Sequence, residues 1–170
     1  MKNLFFSLTE LNKKSPYLLK SAGMFSFSFD TDQGKHYEIG FIQDLMISDD
    51  GIYQFFISTE DHFKTSPDKK VQQTVMIVVE EFFKNEGVVL DYICDTEDHR
   101  QAARDRMFRQ WFASSESKNQ YCQRSISIEI DGVDYFSTFI MRNDNPRYQI
   151  ILDAIDCFIE DFIDKLNNFS

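Results

Sequence analysis

Cys94-Asp95-Thr96-Glu97-Asp98-His99-Arg100, with Arg104 one helical turn further on, is the stretch of this chain whose residue types could do chemistry. Asp95 and Asp98 could hold Mg²⁺ through their carboxylates, Arg100 and Arg104 could clamp a phosphate, and His99 could serve as acid or base. Arg100, Arg104, Arg106 and Arg109 fall within one short span while the lysines are scattered, and arginine is the cation suited to fixed, bidentate pairing with carboxylate or phosphate. Against catalysis, a magnesium site usually needs more oxygen ligands than these two carboxylates. The expectation is therefore no metal, no assigned catalytic residue, and a candidate ligand or anion site at Asp95, Asp98, His99, Arg100 and Arg104.

The same residues have a purely structural reading. Asp95 or Asp98 can cap a helix and pair with Arg100 or Arg104, whose apolar stems would lie beside Phe108 and Trp111 on one helical stripe. Of the two arginines, Arg104 is expected to face the core and Arg100, nearer the loop, to be the one placed for a ligand contact. Cys94 could act as a nucleophile near His99, but a cysteine at a strand end is far more often a buried apolar filler.

The apolar strand followed by Cys94-Asp95, Asp98, Arg100, Arg104, Phe108 and Trp111-Phe112 resembles a family of small uncharacterised proteins found mainly in Bacteroides-like bacteria. The resemblance runs from the aromatic strand near Phe25 to the last helix and implies a common fold. It implies no activity, because the family has none assigned.

The strand that must position this stretch is Val88, Val89, Leu90, Tyr92 and Ile93, a β-branched and aromatic run between Gly87 and Asp95. Before it, Phe25, Phe27 and Phe29 alternate with serines, Tyr37, Ile39 and Phe41 repeat the two-residue period, and residues 52–58 supply a third strand. Ser66-Pro67 reads as a capped helix start, with Val71, Val75, Val78, Val79 and Phe82 on the buried face. After the centre, strands over 125–130 and 135–141 flank the hairpin signal Asp131-Gly132, and Asn145-Pro146 opens a last helix with Ile151, Ile155, Ile159, Phe162 and Leu166 inward.

The resulting expectation is an α+β fold: an antiparallel sheet of about six strands, order βββ-α-β-α-ββ-α, helices mainly on one face, with hairpin, proline and helix occurring twice as a two-lobe pseudo-repeat. Residues 1–22 form an N-terminal helix or arm, and residues 23–170 a single domain. The outer side of the last helix carries Asp153, Asp156, Glu160 and Asp164, an acidic stripe that is either a solvated face or a docking surface for a basic partner.

Composition narrows the function classes. A net charge of −10 and a pI near 4.7 argue against a general nucleic-acid binder, which needs a basic face. Cys94, Cys122 and Cys157 lack the close Cys/His spacing of a zinc site and read as free thiols of a reducing compartment. The opening MKNLFFSLTELNKK reaches Thr9 and Glu10 before building a signal-peptide core, and no run approaches the ~18 apolar residues of a membrane span. The expected location is cytoplasmic. With six glycines and neither G-x-x-x-x-G-K nor G-x-G-x-x-G, no cofactor is expected. The leading expectation is a non-enzymatic protein-interaction or regulatory module; the alternative is an enzyme or sensor of a phosphorylated small molecule or nucleotide. A homodimer through an exposed sheet edge such as the strand over 135–141 is a further expectation.

Overall fold

The structure is a computed structural model that describes residues 4–44, 51–59, 68–94, 101–130 and 132–168. A short helix α1 (Leu8–Lys14) and a two-residue strand β1 (Lys20–Ser21) lead into β2 (Ser26–Asp30), β3 (His36–Gln43) and β4 (Ile52–Thr59). Helix α2 (Lys69–Phe82) returns the chain to β5 (Val89–Ile93), and α3 (Gln101–Ser114) with a 3₁₀ turn leads to the hairpin β6 (Tyr121–Ile130) and β7 (Val133–Arg142). Helix α4 (Tyr148–Asn168) closes the described chain.

The strands form one sheet in the order β1-β2-β3-β4-β5-β7-β6. The α+β class holds, with corrections to its detail. The described residues form seven strands rather than about six, and the sheet is mixed: β4 and β5 run parallel, Ile52 opposite Val89 and Phe55 opposite Tyr92, while the other neighbours are antiparallel. The physical reason is the α2 crossover, which brings the chain back to enter β5 in the direction of β4. Strand β7 is interior, so the expected exposed edge over 135–141 is not an edge; β6 and the short β1 are.

Turn chemistry follows from the sequence where it can be seen. Gly34 and Gly132 adopt φ of 76° and 77°, and the Gly34 N–H donates to the Thr31 carbonyl at 2.9 Å. Asp131 and the expected helix opening Ser66-Pro67 lie outside the described residues. The cap of α2 is Asp68, whose carboxylate accepts from the Lys70 N–H at 2.8 Å and from the Tyr17 hydroxyl at 2.7 Å. A carboxylate can satisfy an orphan helix N–H and a tyrosine together, which fixes the N-terminal segment to α2. Asn145 opens α4 similarly: its side-chain oxygen accepts from the Arg147 N–H while its amide donates to the Val88 carbonyl.

Two cores divide the sheet. On one face α1, α2 and α3 cover Phe27, Phe29, Ile39, Phe41, Leu90 and Tyr92. Its aromatic content packs ring on ring: Phe41 stacks on Phe82 of α2 at 4.3 Å, and Phe108 of α3 meets Tyr92 at 4.9 Å. On the other face α4 sets Ile151 and Ile155 against Ile52, Val89, Phe139 and Met141. Three of four helices thus share a face, but α4 does not, and this removes the two-lobe repeat. A twofold axis normal to the sheet would map β4 onto the antiparallel β7, yet it would keep both following helices on one side.

Candidate functional site: a groove under α4

Strand β5 reads Val-Leu-Asp-Tyr-Ile, and its alternation sends Leu90 and Tyr92 towards α2 and α3. Val89, Asp91 and Ile93 therefore face α4. In register, β7 adds Phe139, Ser137 and Tyr135 to that face, and β6 adds Ile126 and Ile128 opposite Ser137 and Tyr135. The first half of α4 is seated by Ile151 and Ile155, whereas its second half carries Phe158 and Phe162 over this part of the sheet without closing on it. A groove of about 410 Å³ remains, lined by Ile93, Ile126, Ile128, Tyr135, Phe158 and Phe162 among others, with Asp91, Asp44 and Ser137 as its polar members.

Asp91 is the unusual group. It is 2% exposed and accepts a hydrogen bond from the Ser137 hydroxyl at 2.7 Å. Burial pushes its carboxyl up to about 7, and the negative charge of Asp44 adds to the rise while the Ser137 bond opposes it. No cation pairs with it among the described residues. The contrast lies on the other face, where the buried Asp105 pairs with Arg109 at 2.8 Å and accepts from the Tyr92 hydroxyl at 3.3 Å. That arrangement is the satisfied buried carboxylate expected of a core.

Sequence reasoning passed over Asp91 because it read β5 from its apolar members. The signal was present: a carboxylate whose neighbours two residues away, Val89 and Ile93, are both apolar must share their face.

The cluster that the sequence singled out is only partly in view. Asp95, Asp98, His99 and Arg100 lie outside the described residues. Arg104 is half-buried on α3, and its charge acts on the Cys94 thiol, which burial nevertheless pushes up to about 11. Phe108 of the same stripe is buried and Trp111 half-buried. Within α3, the buried Asp105 pairs with Arg109 at 2.8 Å. At the start of α3, Gln101 donates to the Asp134 carbonyl at 3.1 Å, and its own side-chain oxygen is buried without a partner.

The acidic stripe of α4 is partly engaged within the chain. Asp156 pairs with Arg124 of β6 at 2.9 Å and Asp153 accepts from Gln149 at 2.8 Å, while Glu160 and Asp164 are exposed. Among the described residues no set of three His, Cys, Asp or Glu side chains is placed to hold a metal ion, and no helix is long and apolar enough to cross a membrane.

Residues 67–157, more than half of the chain, match a family of unknown function (DUF6169), and the chain belongs to that family. The match runs from the approach to α2 into the middle of α4 and so contains β5, β6 and β7, the strands that floor the groove. No functionally curated protein matches the chain.

Proposed function

We propose that this member of a family without an assigned activity is a non-enzymatic binding module, of regulatory or protein-interaction type, whose receiving surface is the groove between the sheet and the second half of α4. The observation that carries this reading is an apolar concavity of about 410 Å³ rimmed by large hydrophobic side chains in contact with water: Ile93 is 50% exposed and Phe162 36%. Apolar side chains gathered around a hollow, with a few polar groups among them, are what ligand sites are built from. Cys94, the nucleophile that the sequence offers, is buried with its thiol raised, which supports binding over covalent chemistry. The acidic stripe supports a basic partner less directly, since Asp156 is already held by Arg124. A cytoplasmic location is supported by Cys94, Cys122 and Cys157 being free thiols.

Nile red, an uncharged dye that brightens in apolar sites, tests the groove directly. The full chain should bind it with a blue-shifted emission, and Phe162→Glu or Ile93→Glu should each weaken binding by roughly tenfold or more. Dye bound equally well by both variants would sink the reading.

A further inference from the structure

We infer that the groove takes a small organic cation, a primary ammonium group on an aromatic or branched apolar body, with Asp91 as its counter-ion. The inference rests on the groove being a binding site and adds the class of ligand. Its first support is size and lining: a hollow of about 410 Å³ walled by Ile93, Ile126, Ile128, Tyr135, Phe158 and Phe162 suits one small apolar body.

The second support is the state of Asp91. A carboxylate removed from water needs a cation or several donors, and Asp91 has one neutral hydroxyl, that of Ser137. The one other aspartate buried to this degree among the described residues, Asp105, has its guanidinium and its tyrosine. Asp44, at the end of β3, lines the same groove and adds negative potential there. An anionic or phosphorylated ligand would meet two carboxylates, and a neutral one would leave Asp91 as it stands. A cation alone supplies Asp91 with a counter-charge.

An ammonium suits the site better than a guanidinium. A guanidinium holds a carboxylate through a flat two-bond fork, whereas an ammonium is a compact charge whose three donors can serve Asp91 and the Ser137 oxygen together. The raised pKa of Asp91 fits a carboxyl whose charge awaits a partner.

The test compares phenethylamine, phenethyl alcohol and hydrocinnamate, which carry the same apolar body with positive, neutral and negative heads, on the full chain by calorimetric titration. The amine should bind at least about tenfold more tightly than the alcohol, and the carboxylate should show no binding. Asp91→Asn keeps an acceptor for Ser137 but loses the charge; it should bind the amine no more tightly than the alcohol. Amine and alcohol bound equally by the wild type, an amine that does not bind while Nile red does, or a preference that survives in Asp91→Asn would each overturn the inference. The wild-type comparison needs no variant to fold. Failure of Nile red itself would overturn the groove reading along with the inference, so the two failures are distinguishable.

Discussion

At the scale of single residues, Asp91 makes a prediction that needs no ligand. Its carboxyl titrates at about 7 in the folded chain against an ordinary value of 3.8, so the native state binds its proton more tightly than the unfolded state does. The stability associated with this group is fully present below about pH 4, falls as the pH rises, and is lost once the pH passes about 7. Asp91→Asn removes that slope. The variant should be more stable than the wild type near neutral pH, by at most about 4 kcal/mol, with the advantage shrinking towards pH 4. Urea unfolding at about pH 5 and about pH 8 measures it; an advantage that does not grow with pH would show that Asp91 has a charge partner in the native state. Cys94 gives a second residue-scale outcome. With its thiol buried and raised to about 11, iodoacetamide at neutral pH should label the exposed Cys157 in the native chain and leave Cys94 unmodified until the chain unfolds. Labelling of Cys94 at a rate similar to that of Cys157 would restore it as a candidate nucleophile.

At the scale of elements, the helices were legible and their placement was not. The face Val71, Val75, Val78, Val79 and Phe82 is buried as its spacing demands, because a helical period is a local property. The side of the sheet that a helix takes is not local. Both the α2 crossover and the placement of α4 depend on pairings between distant strands, and two strand-helix units of similar pattern ended on opposite faces. The start of β5 carried a partial signal, since Val88, Val89 and Leu90 form an unbroken apolar run that is covered on both faces, as strands with parallel neighbours tend to be. Phe82 tests how far α2 anchors this arrangement. It is fully buried, stacks on Phe41 at 4.3 Å and meets Tyr53 edge-on at 5.8 Å, so no nearby group can move into its volume cheaply. Phe82→Ala should cost about 3–5 kcal/mol, read from thermal or urea unfolding. A loss under about 1 kcal/mol would mean that α2 is not packed on β3 and β4 as described.

At the scale of the whole molecule, the chain has a covered centre and one long open side. Strand β5 is bonded to β4 and β7 and lies beneath helices on both faces, whereas β6, among the described residues, pairs with β7 alone and leaves ten residues of edge. The net charge of −10 opposes edge-to-edge association of copies, and the Arg124 to Asp156 pair ties β6 to α4 on one side. This layout fixes an order of opening. Amides of β5 can exchange with solvent only when the sheet comes apart, so Leu90, Asp91 and Tyr92 should be among the slowest and report the global stability. Alternate amides of β6, those pointing away from β7, have no partner strand among the described residues and should exchange orders of magnitude faster than their inward neighbours. Those in the second half of α4, above the groove, should fall between, because Phe158 and Phe162 hold it less firmly than Ile151 and Ile155 hold the first half. Hydrogen exchange followed by NMR on the full chain resolves all three classes. Protection along the whole length of β6 would contradict an open edge and would place a second copy of the chain there, a homodimer formed across β6 and not across β7.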